Sequence, residues 1–312
     1  MASRDALVAT AGETIARGSK SFAAASKLFD RRTRERAWLL YAWCRHCDDV
    51  MDGQSLGGEM HAVSDPATRL ATIRVGTSRA LAGETVGELP FDAIGTVSRE
   101  TDLPRAFIED HLEGFALDAQ DWRPRTEADL LRYSYHVAGA VGCMMAVIMG
   151  VDCADEDTLN RASDLGIAFQ LANIARDLAE DARGGRCYLP QEWLAELDVP
   201  PGEHMRPIYR KRMAAAAGWL LQLVEEYEAS ARVGAARLPP RSRWAVLSAA
   251  GIYGDIAREV ARRGEHAWDT RVVTSKADKL RWIGRSGVGA LRRENARGLR
   301  ESRDGLWTRP RS

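Results

Sequence analysis

The stretch Tyr41-Ala-Trp-Cys-Arg-His-Cys-Asp-Asp-Val-Met-Asp52 restricts the fold of this chain more than any other. Its polar residues Tyr41, Arg45, Asp48 and Asp52 are spaced 4, 3 and 4 apart. At about 100° per residue they fall within a wedge of roughly 60° on a helix. A cation and two carboxylates on one wedge make a poor core and a good site, provided a second polar wedge faces them. The stretch Gln170-Leu-Ala-Asn-Ile-Ala-Arg-Asp-Leu-Ala-Glu-Asp181 supplies one. Gln170, Asn173, Asp177 and Asp181 are spaced 3, 4 and 4 apart and lie within about 80° of one another. Arg176 and Glu180 flank that face, and Ile167, Ala168, Leu171, Ile174, Ala175 and Leu178 make the rest apolar. The fold must therefore be helical at both places and bring the two helices together.

The remainder of the sequence fits that demand. Ala, Leu, Arg and Glu, all strong helix formers, dominate, and strand-like alternation and βαβ rhythm are missing. Helices are expected over 6–17, 33–51 with Thr33 as N-cap, 66–82, 91–100 and 104–119. Others are expected from a Thr126 cap to 150, from an Asp155 cap to 181, and over 191–197, 207–233 and 241–263. Gly57-Gly58 marks a loop. With 45% hydrophobic and 28% charged residues, a single all-α domain over 1–280 is expected, followed by a basic, loosely ordered tail over 281–312. That tail is read as solvated or as touching a membrane surface. A formal net charge of zero gives no global reason to expect a nucleic-acid partner. The first thirty residues lack an apolar h-region, so no secretory signal is expected. The longest nearly charge-free apolar stretch, 137–151, is too short to span a bilayer and reads as a buried helix. Five cysteines in such a chain suggest reduced thiols in the cytoplasm.

The two wedges carry Asp48, Asp49, Asp52, Asp177, Glu180 and Asp181. Like charges at i, i+4 weaken a helix by roughly 0.2–0.5 kcal/mol per pair, and facing stripes would cost more unless cations sit between them. Mg²⁺ suits the task, because it binds one or two carboxylates plus waters and phosphate oxygens without a closed protein cage. With Lys20, Arg45 and Arg176 nearby in pattern, the stripes point to a Mg²⁺-bridged diphosphate site. A single such motif is more simply a solvated helix face. Two of them, each accompanied by an Arg and set among apolar residues, favour the metal.

These residues reach a family. The segments 41–52 and Phe169-Gln-Leu-Ala-Asn-Ile-Ala-Arg-Asp-Leu-Ala-Glu-Asp-Ala-Arg-Gly-Gly-Arg-Cys-Tyr-Leu-Pro190 resemble the two signature segments of bacterial phytoene synthases, within the squalene/phytoene synthase family. The likeness takes in Gly18-Ser-Lys-Ser-Phe22 and Tyr133-Ser-Tyr-His-Val-Ala-Gly-Ala-Val-Gly142, and more weakly Ile252-Tyr253 and Ala267-Trp-Asp-Thr-Arg271. It spans about residues 10–280; the loop at 57–65 and the last thirty residues match nothing.

The resemblance implies an isoprenoid-synthase-type helical bundle around a central apolar cavity, with the Asp-rich helices facing each other at its mouth. It implies head-to-head joining of two geranylgeranyl diphosphates through prephytoene diphosphate to phytoene, with release of diphosphate, in carotenoid biosynthesis. Mg²⁺ is the implied cofactor, Mn²⁺ its alternative, and NADPH is not expected. By motif, Asp48, Asp52, Asp177 and Asp181 become metal ligands, and Gln170 and Asn173 join their polar cluster. Lys20, Arg45, Arg176 and Arg271 would stabilise departing diphosphate, and Tyr41 would bind diphosphate or carry a proton. Ser19, Ser21 and Phe22 would contact substrate, with Phe22 covering it near the mouth. Tyr133 and Tyr253 become candidates for cation stabilisation, and Tyr133 for proton removal, with the released diphosphate as the rival base. Val137, with Ala140, Val141 and Met144, would be cavity wall, although periodicity alone reads them as plain core. A sibling with C15 substrates, a squalene or dehydrosqualene synthase, is the nearest alternative. A non-catalytic helical partner protein is another, marked by broken Asp motifs; both are intact here. Lipophilic substrates and product suggest peripheral association with the inner face of the cell membrane and with other carotenoid-pathway enzymes.

Other motifs point elsewhere. Cys44 and Cys47 form C-x-x-C mid-helix, where packing is simpler than zinc or redox chemistry. His46, His111 and His136 read as structural. Glu109, Asp110 and Glu113 read as a solvated face, and Gly287-Val-Gly289 follows no strand.

Overall fold

Helix caps set the boundaries of the architecture. The structure is a computed structural model that describes residues 3–53, 65–291 and 302–310. Within them the chain forms α-helices and short turns, and no strand. The N-terminal half comprises α1 (Arg4–Gly18), α2 (Lys20–Ser26), α3 (Arg31–Asp52), α4 (Pro66–Leu81), α5 (Leu89–Thr101) and α6 (Arg105–Ala119). The cap of α3 is Asp30, not Thr33: its carboxylate accepts the Thr33 backbone N–H at 3.0 Å and the Thr33 hydroxyl at 2.7 Å. Aspartate accepts both bonds at once and so outcompetes threonine for that position. Gly53, at φ 61°, ends the helix. The loop expected at Gly57-Gly58 lies outside the described residues.

Thr126 caps α7 (Glu127–Ser134) through a capping box with Asp129. The helix expected to run on to 150 is interrupted by a π turn, Tyr135–Gly139, before α8 (Ala140–Ile148). Close backbone contact accompanies the insertion. A Cβ on Gly166 would meet the Ala138 carbonyl, and one on Gly142 the Ala162 carbonyl. The π turn therefore lets this helix lie directly on the next one, α9 (Glu156–Arg183), which Asp155 caps as expected. There follow α10 (Gln191–Glu196), α11 (Arg210–Ala235), α12 (Pro240–Arg263) and α13 (Lys276–Leu291).

Among the described residues two large apolar cores form, with a smaller one around Phe29, Ala37 and Leu238. One joins α3 to α6 through Leu39, Trp43, Phe91, Ile94 and Ile108. The other joins α9, α11 and α12 through Leu171, Ile174, Leu220, Val224 and Val260. Full burial of such side chains stabilises by about 1.5–3 kcal/mol each. The π turn and α8 straddle both, Tyr135 and Ala140 going to the second core and Cys143 and Met144 to the first. Since α3 and α9 each turn an apolar face to a different core, their polar wedges are left at the seam.

Among the described residues beyond 280, those of 281–291 and 302–310 pack against the bundle. Trp282 of α13 lies over Gly251 of α12, and the Trp244 indole N–H donates to the Ile283 carbonyl at 2.7 Å. Further on, the Arg303 guanidinium donates to both oxygens of Asp164 at 2.8 and 2.7 Å. The Trp307 backbone N–H donates to the Tyr227 hydroxyl at 3.1 Å. Asp164 is wholly buried, and a buried carboxylate requires a partner. The basic residues that read as solvated include the counterion of a core aspartate.

Candidate active site

On α3, Tyr41 reaches the seam because residue 18 has no side chain: a Cβ on Gly18 would stand 2.5 Å from the Tyr41 hydroxyl. The Phe22 ring lies 5.7 Å from that of Tyr41, and Arg45 Nε donates to the Tyr41 hydroxyl at 3.4 Å. Arg45 approaches Asp48 and Asp49 loosely, at 3.8 and 3.9 Å. Asp52 is held by Arg186 at 2.8 Å. Arg186 follows the C-terminus of α9, so this ion pair ties one Asp-rich segment to the other.

On α9, Arg176 donates to both oxygens of Asp177 at 2.8 and 2.5 Å. Arg271 also pairs with Asp177, at 3.0 Å, and with Glu180. Gln170 and Asn173 are half-buried. Tyr253 of α12 stacks on Phe169 with 4.2 Å between ring centres. Lys20 and Ser21 sit in the first turn of α2. Ser19 caps that helix, accepting the Phe22 backbone N–H at 3.3 Å, which accounts for it structurally.

Between the stripes stands Asp118 of α6, which the motif reading missed. The Tyr133 hydroxyl donates to it at 3.0 Å and the Tyr188 hydroxyl at 3.1 Å. The Tyr133 ring is stacked between Trp122, at 5.7 Å, and Tyr188, at 4.9 Å. Asp118 repels Asp48 and Asp181 and is repelled by Asp52, so it belongs to the same electrostatic cluster. A lone carboxylate one turn after Phe115 on an apolar helix was the only available signal. Arg186 and Tyr188 lay inside the second signature segment, but their role depends on a turn that helical spacing does not describe.

Val137 packs against Gly114 of α6. Ala140 and Met144, both on the unbroken α8, are fully buried in different cores, so α8 packs between the two. Asp110 accepts the Tyr135 hydroxyl, while Glu109 and Glu113 pair with surface arginines. Cys47 is buried and Cys44 partly so, and burial pushes both thiols up, which suits packing.

Burial and crowding raise three carboxylates at the seam, Asp48, Asp118 and Asp181. Asp48 is pushed up to about 7 by desolvation, with Arg45 opposing and Asp52, Asp49 and Asp118 reinforcing; its side chain is still 39% exposed, so solvent tempers that shift. Asp181 is pushed up to about 7 by burial and by Asp177. Asp118 rises to about 6 through burial, against Arg186. Excess negative charge held in oxygen donors fits a hard divalent cation. Among the described residues no three acidic, imidazole or thiol groups converge into a closed cage. The arrangement therefore suits an ion that takes one or two carboxylates from a wall and completes its shell with water and diphosphate.

Seam, stripes and arginines define an all-α isoprenoid-synthase architecture. A solved dehydrosqualene synthase in complex with ligand superposes with a TM-score of 0.82 at 25% identity, over 92% of this chain and 97% of that one. A squalene synthase from Alicyclobacillus acidocaldarius superposes at 0.72 and 20% identity, over 84% and 95%. The profile of the squalene/phytoene synthase family matches residues 15–278, and the chain belongs to that family. The 15-cis-phytoene synthase of Paracoccus sp. (strain N81106 / MBIC 01143) is 48% identical over 97% of this chain and 98% of its own length. That of Pantoea ananas is 46% identical over 96% of each.

Proposed function

We infer that this chain makes phytoene by head-to-head condensation of two geranylgeranyl diphosphates through prephytoene diphosphate, releasing diphosphate at both ionisations. The observation that carries the reading is the pair of carboxylate stripes facing across one seam and tied by Arg186 to Asp52. The C20 substrate rests on the relatives named above.

Mg²⁺, or Mn²⁺ in its place, held by Asp48, Asp52, Asp177 and Asp181, would neutralise the leaving diphosphate. Lys20, Arg45, Arg176 and Arg271 would donate to its oxygens. Gln170 and Asn173 add neutral polar contacts beside them. Tyr253, stacked on Phe169 on one side, offers a ring face to an allylic or cyclopropylcarbinyl cation. The Tyr133 ring is covered on both sides by Trp122 and Tyr188, which corrects the expectation of cation stabilisation by its ring. Tyr133 can take a proton from the cation only by passing its own hydroxyl proton to Asp118, to which it donates at 3.0 Å, and the released diphosphate is the rival base. Phe22 and Tyr41, in ring contact, help to exclude water. No reduction is required, so NADPH has no role. The lipophilic substrate and product support peripheral membrane association and contact with other carotenoid-pathway enzymes.

The test is incubation with Mg²⁺ and either geranylgeranyl or farnesyl diphosphate, with and without NADPH, followed by hydrocarbon analysis. Phytoene without NADPH is expected. A C30 product from farnesyl diphosphate, with none from geranylgeranyl diphosphate, overturns the substrate assignment.

A further inference from the structure

Among the described residues, Val273, Leu280 and Val288 are exposed by 73%, 69% and 52%, matched elsewhere only by Val75 and Ile208. All three lie in or just before α13. At about 100° per residue, the exposed positions of α13 cover an arc of roughly 180°. Leu280, Ala277, Gly284 and Val288 occupy its middle, with Lys276 at one rim and Arg281 and Arg285 at the other. The opposite arc carries Trp282, Ser286 and Ala290 and is packed inward. An outward face with an apolar centre and cationic edges is the reverse of an ordinary solvated helix surface.

Its position matters as much as its composition. Val273 follows Arg271, the partner of Asp177, by two residues. The Thr274 hydroxyl donates to the Ile252 carbonyl, next to Tyr253, at 3.1 Å. Lys279 lies close enough to Lys20 of α2 for their charges to repel. The face thus borders the α2 side of the seam. Among the described residues, no helix is long and apolar enough to cross a membrane. A shallow apolar stripe with basic rims fits the headgroup and acyl boundary of an anionic bilayer instead.

We propose that the outward face of α13, with Val273, is the surface by which this protein docks on anionic lipid, setting the seam beside the bilayer that holds its lipophilic substrate. The role given to the bilayer rests on the prenyl-diphosphate reading above; the docking itself does not. Val273, Leu280 and Val288 enter the interface, and Lys276 and Arg285 meet lipid phosphates.

The experiment is vesicle flotation of the full chain, using phosphatidylcholine alone or with roughly one third phosphatidylglycerol. The protein is expected to float with the anionic vesicles and to be released by salt. Leu280→Glu/Val288→Glu should lower vesicle binding by about tenfold or more, and Lys276→Gln/Arg285→Gln by several-fold at low salt. Val75→Glu should leave it unchanged. Turnover in detergent micelles should be kept in all these variants; loss of turnover in the parent protein would sink the catalytic reading while leaving flotation as a separate result. Vesicle binding by Leu280→Glu/Val288→Glu equal to that of the parent overturns the proposal. So does a parent protein that does not float, or a stripe whose substitution abolishes self-association in solution and leaves vesicle binding intact.

Discussion

On α3, Arg45 stands 3.8 Å from Asp48 and 3.9 Å from Asp49, at the limit of ion pairing. On α9, Asp177 is gripped by Arg176 at 2.5 Å and by Arg271 at 3.0 Å. The two stripes have similar sequences and nearly the same spacing, yet Arg45 holds Asp48 loosely while two arginines clamp Asp177. The cause is local. Arg45 lies on the helix itself, one turn before its carboxylates, and also bonds Tyr41. Arg271 comes from the segment after α12 and approaches Asp177 from outside the helix. The difference teaches that Asp177 carries its compensating arginines with it, whereas Arg45 leaves more of the Asp48 charge open. On the reading proposed above, Arg176 and Arg271 would be a reserve of diphosphate donors and Asp48 would depend more on an added cation.

The comparison breaks or survives on paired substitutions. Asp48→Asn and Asp177→Asn should each lower kcat/KM by about 10²-fold or more, with far-UV circular dichroism unchanged. They should differ in their response to inorganic diphosphate. Asp177→Asn frees Arg176 and Arg271, so inhibition by diphosphate should tighten several-fold; Asp48→Asn should not show this. Identical inhibition constants in the two variants would mean that the clamp is not a reserve of diphosphate donors.

A second, smaller effect probes what lies between the stripes. Asp118 accepts both Tyr133 and Tyr188. Asp118→Asn keeps the shape but weakens the acceptor, and kcat should fall by about ten- to a hundredfold with KM little changed. Because Asp118 would act through Tyr133, Asp118→Asn/Tyr133→Phe should be hardly worse than the worse single variant. Fully multiplicative losses would separate the two residues and leave Asp118 as part of the charge cluster alone.

What the sequence made legible follows from periodicity. Four polar residues on one turn-spaced face are visible in Tyr41–Asp52 and Gln170–Asp181 because both are unbroken α-helix. Helices and their caps at Thr126 and Asp155 were legible for the same reason. Tyr133 to Met144 was not, because a π turn adds a residue and no local composition announces it; it is set by the approach of Ala138 to Gly166, 28 positions away in the sequence. Asp118 was invisible because its partners, Tyr133 and Tyr188, come from other segments. The role of Arg303 was hidden because it looks like any surface arginine until Asp164 is known to be buried. Long-range pairing, rather than weak propensity, is what hid each of these.

The smallest expected effect bears on stability and concerns Asp181, whose carboxyl is pushed up from 3.8 to about 7. Between those values the folded protein holds a proton that the unfolded chain releases. Stability from this group is therefore lost as pH rises from about 4 to about 7, and stays lost above. Neutral Asp181→Asn removes the penalty without removing the side chain. In EDTA at pH 8 its thermal midpoint should exceed that of the parent by a few degrees, and at pH 5 the gap should shrink to roughly half or less. Histidines that titrate in the same window, such as buried His111, which sits near 4, are common to both proteins and cancel in the difference. Mg²⁺ with inorganic diphosphate at pH 8 should then stabilise the parent more than the variant, since a ligand stabilises only the state that binds it. A midpoint lowered equally at both pH values would show that Asp181 contributes packing or a hydrogen bond, and the α9 stripe would have to be neutralised before any cation arrives.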